Sequence, residues 1–176
     1  MGKVLKYLIC LIIGAVAWCC NTVGCMQNQS SIPLAGFYDG STDKKISLDS
    51  ITVFGIGAPN DSSLISTRTA SMVYLPFRSD NTSTSFCFRY LAKHLDYPEL
   101  NDTISFTYTS QPKFVSEECG AMYFYTITGV RYTTHLIDSV AVTDSLINNL
   151  DTERIKIFFR VAHEEEDPGN DDNEEL

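Results

Sequence analysis

The chain has 176 residues, a hydrophobic fraction of 44% and a formal charge of -9, which gives enough apolar material for one domain with accessory ends. Eight carboxylates and no Lys or Arg lie between Glu164 and Glu175, so the rest of the chain carries only -1. A near-neutral body with an acidic tail excludes the clustered basic surface that nucleic-acid binding needs to displace counterions from phosphates.

Met1 to Lys6 supplies two lysines, and Tyr7 to Trp18 follows without a charge. An apolar run of about a dozen residues is too short to span a bilayer, which needs roughly twenty, and reads as an export signal. Residues 1–19 are therefore assigned as a lipoprotein-type signal peptide. The residue before a lipid-bearing cysteine is ordinarily small, so Cys20, preceded by Cys19, fits better than Cys19, preceded by the bulky Trp18. Cys20 is the expected lipidated first residue, with Cys19 the alternative, and acyl chains such as palmitate hold the protein at a membrane at about 0.8 kcal/mol per buried methylene.

Residues 20–35 read as a tether, because Asn21 to Pro33 is polar and lacks periodicity. From Ile46 onward apolar residues recur every second position. Ile104, Phe106 and Tyr108 alternate with Ser105, Thr107 and Thr109, and Ile155, Ile157, Phe159 and Val161 alternate with Arg154, Lys156, Phe158 and Arg160. Both are patterns of half-buried strands. Ser47–Ile56, Ser71–Phe77, Ser85–Tyr90, Met122–Thr128 and Ser139–Thr143 are further strands, separated by turn residues that include Gly55, Pro98, Pro112 and Gly129. Tyr90–Leu95 and Asp144–Leu150, the latter capped by Asp144, have room for a helical turn each. The expected fold over residues 36–162 is all-β, an antiparallel sandwich of immunoglobulin-like kind or an open barrel, with about seven to eight strands. Residues 163–176 form a self-repelling acidic tail.

Several stretches together resemble an uncharacterised family of Bacteroidota lipoproteins: Cys20 and Cys25 behind a lipoprotein-like signal, Gly36-Phe37-Tyr38-Asp39-Gly40, Asp49-Ser50-Ile51-Thr52-Val53, Leu75-Pro76, Phe114-Val115-Ser116-Glu117-Glu118-Cys119-Gly120 and His135-Leu136-Ile137-Asp138-Ser139-Val140. The resemblance spans most of the chain beyond the signal, and it implies an exported, lipid-anchored β-domain without assigned chemistry. Four Asp-Ser/Thr-aliphatic triplets are similar to the O-glycosylation acceptor of exported Bacteroidota proteins, which would place glycans on Ser50, Thr103, Ser139 and Ser145. The competing explanation is local: Asp and Ser close a turn on nearby backbone before a strand opens.

With Cys20 acylated, Cys25, Cys87 and Cys119 remain for an exported compartment that permits disulfides. Cys87 shares a strand face with Ser85 and Arg89, opposite Phe86, Phe88 and Tyr90. A bridge between Cys25 and Cys119 is preferred because both flank elements, and a loop that long contributes about 4 to 5 kcal/mol in the chain-entropy model. Three reduced thiols, or a Cys87–Cys119 bridge, are the alternatives. On the preferred reading Phe114 to Tyr125 is a fastening point, where Gly120 turns the chain, Met122 to Thr128 fills the core and Cys119 ties down the tether.

Chemistry finds few candidates. A hydrolase needs a nucleophile with a base in reach, and the three histidines, His94, His135 and His163, are each isolated. Ser110-Gln111-Pro112-Lys113 matches Ser-x-x-Lys but lacks the helix that this arrangement needs. No zinc spacing, phosphate loop or EF-hand occurs, so neither a metal site nor a cofactor is expected. The sequence points to a non-enzymatic envelope module, held on the outer membrane and facing the periplasm, with binding or structural work. Its partners are the membrane itself and an unidentified envelope protein or glycan. The alternatives are a hydrolase or enzyme subunit completed by a partner, and a weak glycan- or calcium-binding surface lipoprotein. Exposed aromatics around Tyr123–Tyr125 or Tyr90–Tyr97 would favour binding. A cleft joining His135 to a carboxylate would favour catalysis.

Overall fold

Alternation of apolar and polar residues sets the architecture. The computed structural model describes residues 30–59 and 62–162. Ten strands occur among them: β1 (Leu34–Asp39), β2 (Leu48–Gly55), β3 (Ser63–Ala70), β4 (Met72–Tyr74), β5 (Ser83–Tyr90), β6 (Asp102–Ser116), β7 (Gly120–Tyr132), β8 (Ile137–Val142), β9 (Leu146–Ile147) and β10 (Glu153–Phe159). They form a four-stranded sheet in the order β4-β1-β10-β8 and a six-stranded sheet in the order β3-β2-β5-β6-β7-β9. Each sheet keeps its own two edges, so the barrel is not closed and the two layers make the expected sandwich, with ten strands among the described residues rather than seven to eight.

The period-two pattern buries one face of each sheet against the other. From the small sheet come Ala35, Phe37, Ile137, Ile155, Ile157 and Phe159; from the large one come Ile51, Val53, Phe86, Phe88, Ile104 and Phe106, all at most 1% exposed. Aromatic edges lock the layers together: the Phe37 ring meets Phe88 at 6.4 Å, and Tyr90 meets Phe159 at 6.4 Å. Such edge-to-face pairs add to the area buried, and truncating Phe37 to Ala would cost about 3–5 kcal/mol.

One pairing departs from the antiparallel expectation. β1 and β10, the first and last strands, run parallel side by side in the middle of the small sheet. Their flanking pairs, β1 with β4 and β10 with β8, are antiparallel.

Three further differences have physical causes. β1 starts at Leu34, and Ser31 and Ala35 are fully buried, so the last residues of the 20–35 tether belong to the folded body. Tyr90 ends β5 and leads to a hydrogen-bonded turn from Leu95 N–H to the Ala92 carbonyl, not a helix. Asp144 does cap, but it caps a turn: its Oδ1 accepts the Leu146 N–H at 2.9 Å, and β9 follows. A 3-10 turn lies at Pro98–Leu100.

Pro112 and Gly129, read as punctuation, lie inside β6 and β7. β6 pairs with β5 only over Asp102–Thr107, so Pro112 sits where the outer edge of β6 has no strand beside it. Its missing N–H therefore removes no ladder bond on that side.

Candidate functional site

The polar end of the sandwich is organised by Asp102, the first residue of β6. Its side chain is fully buried, and its carboxylate accepts five hydrogen bonds: from the Tyr90 hydroxyl at 3.0 Å, the Thr133 hydroxyl at 2.6 Å, and the backbone N–H groups of His135 at 2.9 Å, Leu136 at 2.8 Å and Ile137 at 2.9 Å. A buried carboxylate is tolerated when donors surround it in this way. The arrangement clamps the β7–β8 connection onto the start of β6. Burial, then the Asp102 charge, push the Tyr90 phenol far above its ordinary pKa, so it stays a neutral donor.

Beside this clamp a cavity of about 410 Å³ opens between the ends of β2, β5 and β10. Leu48, Tyr90 and Phe159 line it with apolar surface, and Asp49, His94 and Arg160 supply polar groups. The volume falls within the range of small-molecule pockets. Its polar groups are largely committed elsewhere. Arg160 donates to the carbonyls of Thr134 and His135 and pairs with Asp138 at 3.3 Å. Asp49 accepts from Thr69 at 2.6 Å and from Ser50 at 3.2 Å, which holds its carboxyl below the usual value. Among the described residues, neither the His94 nor the His135 imidazole is hydrogen-bonded to a carboxylate or hydroxyl. What reaches Asp102 from His135 is its backbone N–H.

At the opposite end of β6, the chain continues past its neighbours. β6 and β7 pair with each other from Gln111↔Phe124 to Ser116↔Gly120, beyond the last pairs with β5 and β9. The result is a two-stranded ribbon closed by the turn Glu117-Glu118-Cys119. Gly120 adopts φ +70, a conformation that suits glycine and explains its place after the turn. Cys119 is disulfide-bonded, and its partner is not among the described residues. Cys87 is a free thiol, half-buried on β5, and burial raises its pKa against the opposing pull of Arg89. The buried Ser31 hydroxyl donates to the Met122 sulfur at 3.3 Å, so the entering chain packs directly on this ribbon.

The other residues singled out in the sequence are dispersed. Ser50, Thr103 and Ser139 lie half-buried within β2, β6 and β8, while Ser145 is exposed in the turn before β9. All four aspartates of the triplets have local or ionic partners: Asp49 and Asp102 as above, Asp138 with Arg160, and Asp144 with Arg154 and the Leu146 N–H. Ser110 donates its hydroxyl to the Ser79 carbonyl, and Lys113 sits on the ribbon, exposed. Tyr90 and Tyr125 are buried, whereas Tyr97 and Tyr123 are exposed. Cys19, Cys20, Cys25, His163 and the acidic tail lie outside the described residues. No group of three or more His, Cys, Asp or Glu that could hold a metal ion occurs among the described residues.

Two clusters escaped the sequence reading. Asp102 was visible only as one of four similar triplets, and nothing local announces that it reaches residues 133–137. The second joins β1 to β10: Tyr38 donates to Glu153 at 2.5 Å, Lys45 pairs with the same carboxylate at 3.0 Å, and Lys156 stands 4.8 Å from the Tyr38 ring. No helix among the described residues is long and apolar enough to cross a membrane.

No curated protein and no solved structure gives a significant match to the chain. A family model does match, over residues 50–159, from within β2 to the end of β10. That span takes in the Asp102 clamp and the ribbon, and it covers more than half of the 176 residues. The chain therefore belongs to the family described as Family of unknown function (DUF6452).

Proposed function

We propose that this chain is an exported, lipid-anchored β-sandwich that serves as a non-enzymatic binding or structural module of the cell envelope. The observation that carries the reading is the disulfide at Cys119, because structural disulfides persist in oxidising compartments and are rare where thiols are kept reduced. Cys25 is its proposed partner. Ser31 packs on Met122, three residues from Cys119 along β7, and six residues of extended chain from Ser31 back to Cys25 reach about 20 Å. The basic and apolar start of the sequence supplies the export signal, and Cys20 supplies the acyl anchor. The resemblance to Bacteroidota lipoproteins points the same way, to an outer-membrane protein facing the periplasm.

The non-enzymatic part of the reading draws on how the polar groups are used. Asp102 spends its hydrogen-bonding capacity on holding a loop, and Arg160 on carbonyls and Asp138. The test is expression of the full chain in a bacterial host fed labelled palmitate, followed by membrane fractionation. Wild type should take up label and sediment with membranes, Cys20→Ser should lose both properties, and Cys19→Ser should keep them. A soluble, unlabelled wild-type protein would overturn the proposal.

A further inference from the structure

The β6–β7 ribbon has two unlike faces. Residues paired directly across an antiparallel ladder point to the same side. Pro112 pairs with Tyr123 and Phe114 with Ala121, so these four share one face. All four are exposed; Phe114 is 71% and Tyr123 44% accessible, and no charged residue interrupts them. The opposite face carries Met122, which is buried, and Phe124, which is half-buried, with Ser31 of the entering chain packed on Met122. One face thus receives the segment that leads back toward the amino terminus, and the other presents large apolar side chains to the surroundings. Glu117 and Glu118 stand at the turn, so the ribbon is suited to lie along an interface rather than to plunge through one.

We propose that the face formed by Pro112, Phe114, Ala121 and Tyr123 rests on the lipid bilayer at headgroup depth. The proposal depends on the lipid-anchored reading above. Its occupant follows from chain length: ten residues separate Cys20 from Ser30, and the described chain begins on this same ribbon. With Cys119 bonded to Cys25, five residues separate the ribbon's turn from the acylated residue, a reach of about 17 Å. A tether that short confines the ribbon to the neighbourhood of the membrane. Aromatic rings with one polar end, as in Tyr123, favour the boundary between headgroups and acyl chains.

Trp18 is the one tryptophan of the sequence and is removed with the signal, which leaves the mature protein a clean background for a fluorescent reporter. Phe114→Trp and, as a control, Met72→Trp on β4 each replace an exposed apolar side chain, Met72 being 48% accessible. The acylated full-length mature chain is reconstituted into phosphatidylcholine vesicles whose acyl chains are brominated near the headgroup. The expected result is a blue shift and strong quenching of the Phe114→Trp emission, with Met72→Trp unaffected. If both proteins float with the vesicles but their emission is alike, the docking inference is overturned and the anchor stands. A blue shift of Phe114→Trp that grows with protein concentration without vesicles would overturn it in favour of a second copy on this face. Failure to float would overturn the anchor and this inference together.

Discussion

Removing the Asp102 carboxylate should unfasten one end of the sandwich. Asp102→Ala strands five donors: two hydroxyls and three backbone N–H groups. A hydrogen bond to a charged acceptor contributes about 1.5–3 kcal/mol net, and a buried donor left unsatisfied costs about 1–3 kcal/mol. Thr133 and His135 are exposed and can turn to water. Ile137 and Tyr90 are buried and Leu136 half-buried, so their donors cannot fully do so. With three of the five donors penalised, the expected loss is about 3–5 kcal/mol, a large part of the 5–15 kcal/mol that holds a typical domain together. Asp102→Asn keeps one acceptor oxygen but turns an amide N–H₂ toward donors, for a loss of about 2–3 kcal/mol. Urea unfolding followed by far-ultraviolet circular dichroism measures both. Hydrogen exchange should show the Leu136 and Ile137 amides losing protection while Ile104, deep in β6, keeps its own. If Asp102→Ala unfolds within about 1 kcal/mol of wild type, the clamp does not carry the energy assigned to it. Should that variant fail to fold at all, Asp102→Asn still supplies the number.

Two predictions concern the β1–β10 seam. The hydrogen bond from Tyr38 to Glu153, then burial, then the Glu153 charge raise the phenol's pKa from 10.0 to about 12. Since the folded value lies above the unfolded one, this contribution is fully present below pH 10 and is lost as pH rises through about 12. The urea midpoint of Tyr38→Phe should therefore fall less than that of wild type over this window, and an equal fall would sink the assignment. At Gly36 a Cβ would lie 2.2 Å from Glu153 Oε2, so Gly36→Ala should push that carboxylate away from Tyr38 and Lys45. A stability loss of about 1–2 kcal/mol is expected, with a late-titrating phenol shifting toward its ordinary pKa in an ultraviolet titration; an unchanged titration would show that Glu153 is not what holds Tyr38.

Sandwich architecture was legible where a strand has one buried and one open face. Ile104, Phe106 and Tyr108 or Ile155, Ile157 and Phe159 announce themselves by period two, and all six are buried. β1 hides from that test because all but one of its residues are buried, flanked by β4 and β10 within its sheet. β3 hides for the opposite reason: it is an edge strand whose Ser66-Thr67-Arg68-Thr69 faces solvent throughout, leaving too few apolar residues to alternate. The parallel β1–β10 pairing joins residues more than a hundred positions apart and has no local signal. At the candidate site the same limit applies. The Asp-Thr-Ile triplet at Asp102 was readable as a residue that satisfies nearby backbone, which is the right chemistry, but its targets at residues 133–137 are fixed only by the β6–β7 pairing. The exposed faces of Phe114 and Tyr123 likewise emerge only from their register.

The central claim, an exported body fastened to its own acylated tether, is tested most directly by non-reducing peptide mapping. Protein extracted from membranes is alkylated without reductant, digested and weighed by mass spectrometry. The account predicts an acylated amino-terminal Cys20, a cross-linked peptide pair joining Cys25 to Cys119, and an alkyl label on Cys87 alone. Alkylated Cys25 in unreduced protein, or a mature terminus without lipid, would contradict it.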